Sequence, residues 1–170
     1  MNSQALKVDS PAVPDDMTTV ADRLIASRQT LAVMESCTGG LLTSTITRTE
    51  GCGEFFPGGV VSYATEAKVA LGVSSTVIEK FGVVSKETAR EMAVAIRRLL
   101  NADIGVGITG VAGPSTQEGV EPGTVFIAIA SDRTAQAREL QIGGEPDEVK
   151  EATVAEVLRW LAQEYPLSDD

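Results

Sequence analysis

The segment Glu35-Ser36-Cys37-Thr38-Gly39-Gly40 sets a hydroxyl, a thiol and two consecutive glycines at the end of a short apolar run, Thr30–Met34. A helical pattern ending near Arg48 follows. A strand that turns tightly into a helix puts Ser36 at the carboxyl end of the strand and the amino end of the helix. Ligands of open α/β sheets bind there. The backbone N–H groups of Cys37, Thr38, Gly39 and Gly40 would face a group beside Ser36, where they can hold an oxyanion or a phosphate. The same spacing also describes a capped βα turn with Ser36 or Thr38 as its N-cap.

A second segment, Ser62-Tyr63-Ala64-Thr65-Glu66-Ala67-Lys68, puts Tyr63 at a strand end and Lys68 about one turn into the next helix. The chain contains no histidine, which removes Ser-His-Asp and Cys-His catalysis and any His-ligated metal. An activated serine then needs another base. A desolvated lysine can serve, because burial lowers its pKa from ~10.4 toward neutrality. A tyrosine between the two could relay or stabilise the proton. The structural alternative leaves Lys68 solvated and Tyr63 half-buried.

A third segment, Thr109-Gly110-Val111-Ala112-Gly113-Pro114, opens a polar stretch of 14 residues reaching Pro122. Its glycines allow backbone to approach a ligand closely. No Gly-Lys-Ser/Thr follows, so it is not a phosphate loop of the Walker type, and no helix follows promptly enough for a dinucleotide fingerprint. Irregular stretches of this length in a compact domain often form a binding loop or lid, and otherwise a surface loop. Asp147 and Glu148 follow Pro146 and suit the dipole of a helix start, a structural role.

The elements needed to position these segments can be read from pattern. Asp16 is placed to cap a helix running to about Ser27, with Val20, Leu24 and Ile25 inward. Gly51–Gly59 reads as a glycine-rich loop, Gly59–Ala64 as a second strand, and Thr65 as the cap of the helix carrying Lys68. Ser85 caps the clearest helix, whose stripe is Ala89, Met92, Ala93, Ile96, Leu99 and Leu100. Ile104–Ile108 is a third strand. Val125–Ala130 and Ala135–Ile142 pair through a turn at Asp132 and Arg133. The last helix begins near Pro146 and buries Val154, Val157, Leu158 and Leu161. Strands alternating with helices and ending in a hairpin imply a layered α/β fold with a mixed sheet.

The chain has 170 residues, 43% of them hydrophobic and 22% charged. That length suits a loose lead-in over residues 1–16 and a single domain over 17–165. Asp plus Glu is 24 against 14 Lys plus Arg, a net charge of −10. That balance argues against nucleic-acid binding and leaves room for a small anionic ligand held by local positive potential. Cys37 and Cys52 are too few for a four-ligand zinc site. The absence of a leader pattern or a spanning apolar run predicts a soluble cytoplasmic protein with free thiols and no membrane partner.

Taken in order, several segments resemble the CinA C-terminal domain family, also called the nicotinamide mononucleotide deamidases. They are Glu35–Gly40, Phe55-Phe56-Pro57-Gly58-Gly59-Val60-Val61-Ser62-Tyr63, Glu66-Ala67-Lys68, Gly82-Val83-Val84-Ser85, Thr109–Pro114 and Gly123-Thr124-Val125. The likeness covers about residues 20–162. It implies a three-layer α/β/α fold, a homo-oligomer, and hydrolysis of the carboxamide of nicotinamide mononucleotide to nicotinate mononucleotide and ammonia. It implies no metal or organic cofactor, and the length suits the stand-alone form of the family. Ser36 becomes the nucleophile, Lys68 the base that later gives a proton to ammonia, and Tyr63 lies between them. Amides from Ser36 to Thr38 would hold the oxyanion, while Thr109 and the Gly110, Ala112 and Gly113 backbone would line the nucleotide site.

The chain departs from the family pattern where phosphate contacts are expected. Thr65 replaces a usual Asn, and Ser115-Thr116-Gln117-Glu118 replaces further glycines. Val120-Glu121-Pro122 lacks a common lysine, and Glu145-Pro146 stands where an arginine is common. Arg48 is one residue offered in compensation. These changes bear on the substrate more than on the reaction type. Two alternatives follow: the same chemistry on a less phosphorylated amide, or a ligand-binding or interaction module that has lost turnover.

Overall fold

The computed structural model describes residues 15–164. In chain order the elements are α1 (Asp15–Ser27), β1 (Leu31–Glu35), α2 (Leu41–Thr47), α3 (Cys52–Phe55), β2 (Gly58–Val61), α4 (Thr65–Ala70), α5 (Ser75–Phe81) and α6 (Lys86–Leu99). Then come β3 (Ile104–Gly110), β4 (Thr124–Ala130), β5 (Ala135–Gln141) and α7 (Pro146–Glu164). The five strands form one sheet in the order β2-β1-β3-β4-β5. β1 runs parallel to β2 and β3, whereas β3, β4 and β5 are antiparallel. The expected mixed sheet is present.

Every residue of β1 and β3 is buried, because both faces of the sheet are covered. Side chains alternate between faces. Leu31 and Val33 of β1, with Val106 and Ile108 of β3, join Met17 and Leu24 of α1, Leu42 and Ile46 of α2, and Leu158 and Trp160 of α7 in the larger core. Ala32 and Met34 point the other way, toward Met92 and Ile96 of α6. Helices on both sides of one sheet make the three-layer α/β/α architecture. At Gly105 and Gly107 of β3 the absence of a side chain lets α6 lie against the strand; a Cβ on Gly107 would stand 2.6 Å from Ala93 N and 2.9 Å from Met92 Cβ. The outer strand β5 is mostly exposed and carries Arg138 and Glu139, as suits a sheet edge.

Several local expectations shift. Residues 1–14 of the expected lead-in lie outside the described residues, and α1 already includes Asp15 and Asp16. Asp16 is therefore a first-turn acid in α1 and not its cap. Thr65 is likewise the first residue of α4, whose N-cap is Ala64 and has no side-chain cap bond. Gly51–Gly59 contains the one-turn helix α3, and β2 ends at Val61, before Ser62 and Tyr63. β3 extends through Thr109 and Gly110, which leaves the loop shorter by two at its start. Leu99 is exposed at the end of the α6 stripe. Helix α5 was not anticipated; Ser74 caps it by accepting from Val77 N–H. Ser85 caps α6 through Thr88 N–H, as expected.

No helix among the described residues is long and apolar enough to cross a membrane.

Candidate active site

β1 ends at Glu35, and the chain turns at once. Gly39 N–H donates to Ser36 O at 3.0 Å and Leu41 N–H to Thr38 O at 3.1 Å. Gly40, the N-cap of α2, has φ 98°, a left-handed conformation that glycine adopts without strain. It has no side chain with which to cap. The Glu35 carboxylate takes that role instead, accepting from the N–H groups of Gly40, Leu42 and Thr43 and from the hydroxyls of Thr38 and Thr43. Neither Ser36 nor Thr38 is the N-cap. Gly39 and Gly40 spend their amides inside the turn, so only part of the expected amide cradle is free. The N–H groups of Cys37 and Thr38 bond to no carbonyl or carboxylate among the described residues.

The parallel neighbour β2 delivers the second segment beside the first. Ser62 N–H donates to Glu35 O at 2.8 Å, continuing the β1–β2 pairing one residue beyond the strand. The chain then turns into α4, and Lys68 points back under the turn. Its Nζ lies 2.9 Å from Ser36 Oγ, 2.6 Å from Ser62 O and 3.2 Å from Tyr63 O. Lys68 is 1% exposed and Ser36 7%. Burial holds the Lys68 ammonium below its ordinary value of 10.5, because the charged form loses its hydration. The solvated-lysine alternative is thereby removed.

Three oxygens surround Nζ, and the lowered pKa favours its uncharged form. A neutral Nζ has two protons and one lone pair. The carbonyls of Ser62 and Tyr63 accept the two protons, which leaves the lone pair for the Ser36 hydroxyl. Tyr63 meets Lys68 only through its carbonyl. Its side chain is 76% exposed and makes no hydrogen bond, so the phenol does not lie between Ser36 and Lys68. A relay through the ring is displaced because β2 has already ended and the residue turns outward. Cys37, the adjacent nucleophile, is buried with its thiol pushed up to about 12 by desolvation.

Ser36 and Lys68 open into a cavity of about 490 Å³. Cys37, Gly39, Thr109, Gly110, Ala112 and Gly113 line it, together with Tyr63. Thr38 and Gly40 face instead a neighbouring hollow of about 400 Å³ that shares Gly39 and Lys150. Thr109 lines the wall but donates its hydroxyl to Val83 O at 2.9 Å. The loop beyond it folds over the cavity and is tied back by Glu118, whose carboxylate accepts from Val83 N–H at 2.9 Å. Arg48 is an exposed residue at the far end of α2 and does not line the cavity.

Among the described residues, Lys68 and Lys150 are the only charged side chains lining that cavity. Lys150, on α7, is 2.9 Å from Asp147. The sequence reading passed over it, although its place about one turn after Pro146, on the helix face it shares with Asp147, was available as a signal. Glu35 was also passed over; a carboxylate just before a turn whose cap position is glycine is the trace it leaves. Among the described residues no cluster of three His, Cys, Asp or Glu side chains is placed to hold a metal ion.

Known proteins are similar to this chain in sequence and fold. A competence-damage inducible protein of Alkaliphilus metalliredigens is 40% identical over 147 residues, covering 85% of this chain and 36% of its own length. One from Bacillus subtilis is 41% identical over 134 residues, covering 76% and 32%. The chain thus spans about a third of the length of the curated relatives it matches. Among solved structures, a competence or damage-inducible protein from Enterobacter asburiae superposes with a TM-score of 0.88 at 33% identity, covering 92% of this chain and 100% of that one. A CinA superfamily protein from Klebsiella pneumoniae gives 0.88 at 30% identity, covering 91% and 98%. The family model of the CinA C-terminal domain matches residues 15–165. With that match spanning the sheet and the seven helices of the described residues, the chain belongs to the CinA C-terminal domain family.

Proposed function

We propose that this chain is an amidohydrolase that deamidates nicotinamide mononucleotide, with Ser36 as nucleophile and Lys68 as base. The observation that carries the reading is the 2.9 Å approach of a buried lysine amine to Ser36 Oγ at the wall of a ligand-sized cavity. Lys68 Nζ takes the Ser36 proton as Oγ attacks the carboxamide carbon. The oxyanion that forms is met by the N–H group of Cys37, a free turn amide whose residue lines the cavity. The C–N bond breaks as Nζ returns the proton to the departing ammonia. Water, deprotonated by the same amine, then cleaves the Ser36 ester to release the carboxylate and restore the hydroxyl.

With Lys68 uncharged, Lys150 supplies the positive charge at the cavity that supports an anionic substrate in a chain whose net charge is −10. With the reacting amide at Ser36, Lys150 is the side chain available to the phosphate. A second reading keeps the reaction and drops the phosphate, and it is favoured by the 2.9 Å pairing that already occupies Lys150 with Asp147.

Ammonia release from the purified protein, measured with the mononucleotide and with its ribonucleoside beside Ser36→Ala, tests both. Turnover of the mononucleotide alone, lost in Ser36→Ala, supports the first reading. Equal rates on the two amides support the second. A folded protein that binds the mononucleotide without any Ser36-dependent ammonia release sinks the amidase reading and leaves a binding module.

A further inference from the structure

We infer that Glu35 is the positioning residue of the Ser36–Lys68 pair, holding the nucleophile through its carboxylate and the base through its carbonyl. The inference rests on the amidase reading and names how that site is kept in register.

Glu35 is fully buried. Its Oε2 accepts from Thr38 Oγ1 at 2.7 Å, Gly40 N at 3.2 Å and Leu42 N at 3.1 Å. Its Oε1 accepts from Thr43 N and from Thr43 Oγ1, both at 2.7 Å. The carboxylate thus grips the chain on the far side of the Ser36–Gly40 turn, and the helix start that follows, from the residue just before Ser36. The turn is closed at both ends, and the N–H groups of Cys37 and Thr38 stay outside this network.

The same residue reaches the base by its main chain. Glu35 O accepts from Ser62 N at 2.8 Å and from Ser62 Oγ at 3.3 Å. The next carbonyl along, Ser62 O, accepts from Lys68 Nζ at 2.6 Å. One backbone unit therefore separates the anchor of the nucleophile from the anchor of the amine. A strand end with an ordinary Ser or Asp cap would satisfy one or two helix amides. It would not tie α2 to the residue before the nucleophile.

The chemistry of the grip forbids the isosteric amide. Each carboxylate oxygen faces at least one backbone N–H, a group that can only donate. In Glu35→Gln either orientation of the side-chain amide turns its NH2 against such a donor. The turn then relaxes, and a displacement near 1 Å in a reacting geometry costs about 10²-fold in rate.

The experiment compares wild type, Glu35→Gln, Glu35→Asp and Thr43→Val. Thr43→Val removes one of the five donors and guards against a Glu35→Gln protein that does not fold. Each is measured for melting temperature, for kcat and KM of amide hydrolysis, and for the rate at which a small fluorophosphonate modifies Ser36, read by mass spectrometry. The expected result is a fall of about 10²-fold in kcat for folded Glu35→Gln, with KM changed less than about 3-fold and a parallel fall in Ser36 labelling. Glu35→Asp, which keeps the acceptors, recovers part of both. Unchanged kcat and labelling in folded Glu35→Gln and Thr43→Val, with only a lower melting temperature, would overturn the inference and leave Glu35 a helix cap. Absence of Ser36-dependent hydrolysis in the wild type overturns the amidase reading instead; Glu35 is then judged by labelling alone, where a fall supports the inference and no change overturns it.

Discussion

Lys68 and Ser36 are 32 positions apart in sequence and 2.9 Å apart at their functional atoms. The contact depends on β1 and β2 lying parallel and adjacent, so that the chain leaving each strand emerges at the same end of the sheet. Lys68 has to be uncharged to accept the Ser36 proton. Below its pKa the ammonium has no lone pair, so kcat/KM rises with pH through that pKa and then levels off. Because burial lowers the pKa from 10.5, the rise comes earlier than for a free lysine. Lys68→Arg is inactive throughout, since a guanidinium stays protonated. A pH profile of ammonia release from pH 5 to 11 checks both.

The same shift has a stability signature. The folded pKa of Lys68 lies below the unfolded value of ~10.4, so between the two the unfolded chain binds the extra proton. Stability contributed at this position therefore rises with pH across that window, and the unfavourable contribution is complete below the folded pKa. Wild type gains melting temperature relative to Lys68→Met as pH is raised from 7 to 10. A difference that stays constant with pH counts against a lowered pKa.

Lys150→Met is expected to raise KM for the mononucleotide with kcat nearly unchanged. One charge-assisted contact is worth ~1.5–3 kcal/mol, or about 10- to 10²-fold. The ribonucleoside is the control and shows no such change. An equal effect on both amides would mean that Lys150 shapes the cavity and does not meet the phosphate.

Tyr63→Phe is expected to retain activity within about 3-fold, the span of an exposed substitution worth ~0.5 kcal/mol. The ring oxygen has no hydrogen-bond partner among the described residues, and the carbonyl that meets Lys68 is unaffected. A loss of 10²-fold would bring the phenol into the chemistry despite its exposure.

The two thiols should separate by reactivity. Desolvation pushes the Cys37 thiol up to about 12, so almost no thiolate exists at pH 8. Cys52 is less buried and reacts first with iodoacetamide, as peptide mapping of the native protein can establish. On the proposed mechanism Cys37→Ala keeps amide hydrolysis, because the substitution leaves the backbone N–H in place and removes only the sulfur.

The parts of the fold legible in the sequence were those written as period and punctuation. The α6 stripe up to Ile96 with its Ser85 cap, the β4–β5 hairpin and the apolar runs of β1 and β3 are present, with strand ends shifted by one or two residues. Helix α5 was missed because its seven residues bury no side chain, so no apolar stripe marks it. Leu99 fits the period of α6 but falls where the helix runs past its neighbours. At the site, Ser36 and Lys68 were legible from residue type, since without histidine few bases remain. The place of Tyr63 was not, because it turns on β2 ending one residue before Ser62. Glu35 escaped for a different reason. Its partners lie three to eight residues ahead, a reach that no single motif encodes, and its role exists only once Gly40 leaves the cap position empty.

The antiparallel half of the sheet has a practical side. β3 and β4 pair Gly110 with Val125 at the end nearest the cavity and Gly105 with Ala130 at the other, so the Ser131–Thr134 turn projects from the pole opposite Ser36. Asp132 and Arg133 there are exposed and hold no element of the site. A tag or surface linker placed in that turn would orient every immobilised molecule with its pocket toward the solution.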